Sequence, residues 1–218
     1  MYLLTYIKQI FNHITNKLKY LLPLLFIMII LPYHLFGENW KFVKKKDNVE
    51  IFTKKEDGKS LKHIKGVAEI MESSENVFAL IEDVNHTDWW DSNLREIKVL
   101  LYEKNKRAQY YLVYDMPWPF NDRDLYVNVT TTINQATGEC KISAVPLKNN
   151  NPESKNLIRI KDYQQVWTVR PLSKNRTHIE LDFYVNAVEN LPDWLLNLIF
   201  IDSPINSINA VKKILEKK

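Results

Sequence analysis

Residues 110–124 run Tyr-Tyr-Leu-Val-Tyr-Asp-Met-Pro-Trp-Pro-Phe-Asn-Asp-Arg-Asp, and no other stretch leaves the backbone so few choices. Pro117 and Pro119 each fix φ and remove a backbone donor, so no helix or interior strand passes through 117–119. Asn121 and Asp122 form turns through side-chain bonds to nearby backbone. The stretch reads as an aromatic-rich strand, a rigid Pro-Trp-Pro corner, an Asn-Asp-Arg-Asp turn and a second strand from Leu125. A fold for this chain must bring two strands to that corner.

The flanking sequence has the two-residue period of half-buried strands. Val49–Thr53 and Leu61–Met71 are short strands, with Lys44–Asn48 a polar turn before the first. Leu94–Tyr102 places Ile97, Val99 and Leu101 on one face. Arg107–Met116 does the same with Ala108, Tyr110, Leu112, Tyr114 and Met116. Leu125–Ile133, the strand around Cys140, Ile142 and Ala144, a long strand Leu157–Val169 ending at Arg170-Pro171, and Thr177–Ala187 complete an antiparallel meander. One of its faces is apolar and needs a cover.

Two helices are expected. Ser73 or Ser74 caps the first, with Val77, Phe78, Leu80, Ile81 and Val84 as its apolar stripe. The second starts near Asn190 with Pro192 in its first turn, is broken or kinked at Ser203-Pro204, and continues through Ile205, Ile208, Val211, Ile214 and Leu215. One long helix closing one curved sheet is an α+β, helix-grip architecture in a single domain.

Charge matters mainly in where it lies. The 218 residues carry a formal +4, but Lys8, Lys17 and Lys19 precede every acidic residue. Residues 38–218 hold 27 basic and 26 acidic side chains, a net of +1, which gives no basis for nucleic-acid binding. Ahead of them, residues 1–37 have a basic stretch followed by the apolar run Leu21–Leu31, the order of a signal peptide or membrane anchor. Residues 38–218 are expected beyond the membrane, either cleaved free or tethered by residues 21–36, because the lysines stay inside. Cys140 is the only cysteine, which excludes an internal disulfide; it reads as a small buried strand residue.

No constellation for catalysis stands out. There is no glycine-rich phosphate loop and no Gly-x-Ser-x-Gly or His-Glu-x-x-His motif. His63, His86 and His178 are scattered, and Glu180 and Asp182 fall on the face expected to be solvated. His86, Asp88 and Asp91 could be taken for metal ligands, but the stretch reads as a short helical turn whose Asp and Asn cap and whose tryptophans pack, so no metal and no cofactor is expected. A covered apolar sheet without evident chemistry suggests a container for a hydrophobic molecule.

Several short motifs in order carry a resemblance. They are Trp40-x-x-Val43, Asp47-Asn48-Val49-x-Ile51-Phe52, Gly66-Val67, Asp83-Val84-x-His86, and Trp90-Asp91. Tyr114-x-x-Pro117-Trp118-Pro119-x-x-x-Arg123-Asp124 follows, then Trp167-x-x-Arg170-Pro171 and Leu191-Pro192-x-Trp194-Leu195. Together they resemble the START family of lipid-binding domains, particularly its bacterial members, over residues 40–217.

The resemblance implies a U-shaped sheet closed by the C-terminal helix around a tunnel for one lipid. Alternation then assigns Tyr110, Leu112, Tyr114, Leu125, Val127, Val129, Ile142, Trp167, Val169, Leu181 and Phe183 to the tunnel wall, with Leu195, Leu198 and Ile199 from the helix. Some sterol-binding members carry a buried acid and base, and the matching places here hold Tyr110 and Val129. Pro117, Trp118, Pro119, Arg123 and Asp124 are expected to hold the corner. The implied protein is a non-enzymatic monomer that meets a lipid and a membrane surface, with helix 191–217 as its gate. The alternative is an enzyme of the polyketide cyclase or aromatase type, which needs an acid–base pair inside the cavity.

Overall fold

Alternation does produce one sheet. The computed structural model describes residues 40–55, 62–87, 89–148, 156–186 and 200–216. Its strands are β1 (Lys41–Lys46), β2 (Val49–Lys55), β3 (Lys62–Ile70), β4 (Leu94–Glu103), β5 (Arg107–Tyr114), β6 (Asp122–Ile133), β7 (Cys140–Pro146), β8 (Leu157–Arg159), β9 (Asp162–Ser173) and β10 (Arg176–Asn186). The order across the sheet is β1-β2-β3-β10-β9-β7-β6-β5-β4, each pair antiparallel, with β8 parallel beside the start of β6. The Pro-Trp-Pro corner and the first residue of β1 therefore lie at the same end of the sheet. The turns 47–48, 104–106 and 174–175 lie at the other.

Helix α1 (Ser74–Glu82) begins where Ser73 accepts a hydrogen bond from the Asn76 N–H at 3.3 Å. Helix α2 (Ser203–Leu215) starts at the expected break, with Pro204 in its first turn. Its buried residues Ile205, Ile208, Val211 and Leu215 recur at three- and four-residue steps and form one face. That face sits on β3 at Gly66, where an added Cβ would lie 2.7 Å from Pro204 Cβ and 3.1 Å from Ile208 Cδ1. Lys44 pairs with Asp202 just ahead of α2. The described C-terminal part of the expected gate is thus a tightly seated element.

The core has two parts. Ile205, Ile208, Val211 and Leu215 pack with Val49, Ile51, Ile64, Val169, Ile179 and Leu181. A second cluster joins Tyr110, Leu112, Leu125 and Val127 of β5 and β6 with Ile160, Tyr163 and Val185. Lys41–Lys218 forms a compact unit of its own, which holds both clusters and the sheet.

Four expectations need correction. Lys44–Lys46 are not a turn but the end of strand β1; Asp47 and Asn48, both at positive φ, form the two-residue hairpin turn by themselves. The Asn-Asp-Arg-Asp turn is shorter than expected, because Asp122–Asp124 already pair with β8. The long strand at Leu157 breaks after Arg159, where the Ile160 N–H donates to Asp124 O at 2.8 Å, and its second half runs past Pro171 to Ser173. The register shift between Arg176 and Thr177 accommodates that proline. Finally, Glu180 is not freely solvated: His178 lies 2.7 Å, Arg170 3.3 Å and Lys65 3.4 Å away on the outer face. These contacts, His178 first, hold its carboxyl down to about 2 against the opposing effect of burial. The signal or anchor assigned to residues 1–37 lies outside the described residues.

Candidate functional site

The inner face of β5 is not packed solid. Ala108, Tyr110, Leu112 and Tyr114 border a cavity of about 580 Å³, within the range of small-molecule sites. Exposed Arg107 and Tyr102 border it at one end of β5, and exposed Asp115 and Pro117 at the other. It therefore runs the length of that strand, about 24 Å at 3.4 Å per residue, and reaches the surface at both ends.

The wall follows from alternation on the neighbouring strands. Val127 and Val129 of β6, Ile142 and Ala144 of β7, Trp167 of β9 and Phe183 of β10 face the cavity. So do Tyr163, Gln165 and Val185, whose parity matches Trp167 and Phe183 and which sequence reasoning left out. Ile81 and Glu82 of α1, Trp89 and Trp90 of the following turn, and Phe200, Ser203, Asn206 and Ser207 close it. No strand period reaches these residues, so no signal in the sequence placed them there.

Eight of the expected wall residues border the cavity: Tyr110, Leu112, Tyr114, Val127, Val129, Ile142, Trp167 and Phe183. Leu125, Val169 and Leu181 share the inward face but do not border it, and this corrects their assignment. Val169 and Leu181 are fully buried in the cluster that α2 fills. Leu125 is fully buried beside Ile160 and Tyr163, which border the cavity in its place. Leu195, Leu198 and Ile199 lie outside the described residues.

Aromatic edges shape the interior. Trp90 meets Tyr110 edge-on at 5.3 Å, and Trp89 meets Trp167 at 6.1 Å. Such pairs add stability beyond the area they bury. The buried Trp89 indole N–H has no acceptor among the described residues. Burial pushes the Tyr110, Tyr114 and Tyr163 hydroxyls above the ordinary tyrosine range, with Asp91 adding to the effect at Tyr114 and Tyr163. They are neutral phenols that offer hydrogen bonds; the Tyr163 hydroxyl donates to Gln165 Oε1 at 2.5 Å. Among the described residues no histidine borders the cavity. His178 lies on the outer face against Glu180, and His63 stacks on Tyr184 at 4.7 Å, with Asp182 3.3 Å from its Nδ1.

The corner is fixed by charge. Asp122 accepts the Met116 N–H at 3.0 Å and Arg95 at 2.6 Å, and Arg95 also reaches Asp115 at 2.5 Å. The first two contacts hold the Asp122 carboxyl below its usual range. The Phe120 N–H bonds Pro117 O, closing a turn in which Trp118-Pro119 is cis. Buried Asp124 takes both arms of the Arg159 guanidinium at 2.7 and 2.8 Å, the bidentate geometry that makes such pairs strong. Arg123 does two things: it donates to Asn121 O and it borders the cavity. Trp118 supports nothing; it is 92% exposed.

Comparison with known proteins agrees with this geometry. The START domain family matches residues 34–217. An uncharacterised protein of Pseudomonas aeruginosa is 28% identical over 198 residues, 88% of this chain and 97% of that one. The phosphatidylcholine transfer protein of Rattus norvegicus is 25% identical over 173 residues, 75% of this chain and 77% of its own. Among solved structures, a STAR-related lipid transfer protein fragment from Xanthomonas axonopodis superposes with a TM-score of 0.72 at 18% identity, covering 82% of this chain and 99% of that chain. Human StAR-related lipid transfer protein 5 gives 0.73 at 14% identity, covering 88% and 93%.

Proposed function

The chain belongs to the START domain family, and on that premise we propose that it carries one lipid, or another single hydrophobic molecule, without chemistry on it. The observation that carries this reading is the cavity itself, which is as long as β5, aromatic and aliphatic along its middle, and polar toward its ends. A molecule with an apolar body and a polar group fits such a lining. The phenols of Tyr110 and Tyr114 and the Trp89 indole are donors for an ester, carbonyl or hydroxyl of that molecule, while the Tyr163 oxygen, its proton given to Gln165, can only accept.

Turnover would need an acid and a base converging on one substrate. The buried tyrosines are pushed further from ionisation, which supports holding over catalysis. The protein works as a monomer beyond the membrane and exchanges its cargo at a bilayer. Trp118, exposed beside the cavity end formed by Asp115 and Pro117, suits contact with the headgroup region.

Native mass spectrometry of the purified protein, followed by solvent extraction, tests the reading. The expected result is one lipid-sized adduct per chain that extraction removes. A homogeneous adduct-free mass, unchanged after incubation with vesicles, would count against carriage. Release of a chemically altered product would favour the cyclase-type alternative.

A further inference from the structure

We propose that the β1 edge of the sheet, with the adjoining end of β2, is a docking surface for an anionic bilayer and lays the corner end of the sheet against it. The inference rests on the membrane reading above, but not on the cavity being filled.

Charge supplies the first argument. Residues 41–55 hold six lysines against Asp47 and Glu50, a net of +4, whereas residues 38–218 together net only +1. The remainder of that span is therefore net negative, and its positive charge is concentrated on one edge hairpin. A segregated field of this kind attracts an anionic surface. Lysine on an edge strand also discourages strand pairing between molecules, and that ordinary role would account for the lysines alone.

It does not account for what lies between them. Phe42 is 60% and Val43 43% exposed, in a strand whose lysines could have been spaced with polar residues. The register shift between Phe42 and Lys44 leaves Val43 without a pairing partner on β2. Lys41, Lys46 and Lys55 are exposed, while Lys45 reaches Glu50 at 3.0 Å. Apolar side chains set among exposed lysines make a surface that can enter the headgroup layer while neutralising it.

Topology and chain length supply the second argument. β1 begins at the end of the sheet that holds the corner and Trp118. Nine residues separate Leu31 from Lys41, and ten peptide steps span at most about 36 Å. With Leu21–Leu31 in a bilayer, the start of β1 comes within reach of that bilayer's surface. A basic segment beside a membrane-held one gains about fivefold in partitioning per lysine. Docking by this edge would turn the Asp115–Pro117 end of the cavity toward the lipid.

Co-sedimentation of residues 38–218, which contain the whole compact unit, with vesicles tests the proposal. The probes are vesicles of pure phosphatidylcholine and vesicles of phosphatidylcholine mixed with phosphatidylglycerol, whose anionic headgroup supplies the negative surface potential. Binding is expected only to the anionic vesicles and is lost in high salt. Reversing Lys41 and Lys55 to Glu, both at the corner end, is expected to lower it at least about twentyfold, and Phe42→Ser to weaken it with the charges intact. Reversing Lys104 and Lys106, at the opposite end of the sheet, should leave it within about fivefold. Equal binding to both vesicle types, or equal loss per reversed charge from both sets, would overturn the proposal. Phe42→Ser decides the matter should the double variant fail to fold, since its unchanged binding would also overturn it. A protein that retains lipid by mass spectrometry yet ignores vesicles refutes the docking edge and leaves carriage standing, and the converse result does the reverse.

Discussion

Under α2 the inner face of the sheet is solid; across β5, β6 and β7 the same face encloses space. The two regions obey the same alternation and use similar residues. Ile179 and Leu181 meet Ile205, Ile208 and Val211 and are sealed, whereas Val127, Val129 and Ala144 border the cavity. Dimensions explain the difference. Nine strands at about 4.8 Å spacing extend some 38 Å, and α2 lies mainly on three of them, β2, β3 and β10. Its position is fixed by Gly66, the one inward residue of β3 without a Cβ, which lets Pro204 approach the strand.

That contrast can be broken most forcefully by truncating one inward side chain to alanine in each half. Ile208→Ala opens a void where nothing can enter, and it should cost about 2–5 kcal/mol. Val129→Ala, which faces existing space, should cost about 1 kcal/mol or less. Urea unfolding of both variants, freed of lipid, measures the pair, and equal losses would mean that the cavity wall is packed like the core.

The next largest effect lies on the outer face. Glu180 has its folded pKa depressed to about 2 by His178, Lys65 and Arg170, so its contribution is fully present above its unfolded value near 4.5 and is lost as pH falls through about 2. The contribution is roughly 2–3 kcal/mol at neutral pH. Urea midpoints of wild type and Glu180→Gln should differ above about pH 5 and converge toward pH 2. A constant gap would assign the effect to packing.

Enlargement sharpens the comparison further. Gly66→Ala drives a Cβ into Pro204 and should cost about 1–3 kcal/mol. Ala144→Leu projects into open space and should change stability by under about 1 kcal/mol. The same variant should lower the lipid adduct seen by mass spectrometry, because it occupies the room the ligand needs. Full retention of the adduct would place the ligand away from β7.

Much of this was readable from residues. The parity of Tyr110, Leu112 and Tyr114 and of Trp167 and Phe183 named the correct face, and Pro117-Trp118-Pro119 named the corner. The same parity would have added Tyr163, Gln165 and Val185. Trp89, Trp90, Ile81 and Ser207 had no such signal, since a turn and two helices bring them to the wall through tertiary packing. The lysine run of β1 misled, because its strand character comes from pairing with Val49–Thr53 rather than from its own propensity.

By itself the sequence determined local geometry: which side chains share a face, where the backbone cannot continue, and which family's motifs it carries. Those properties depend on neighbours one to four residues away. Only the tertiary structure decided that Leu125, Val169 and Leu181 are sealed while Val127 and Trp167 look into a cavity. Whether an inward residue meets a side chain or a space depends on where helix and loop come to rest, and that is set by contacts between residues more than a hundred positions apart, such as Gly66 with Pro204.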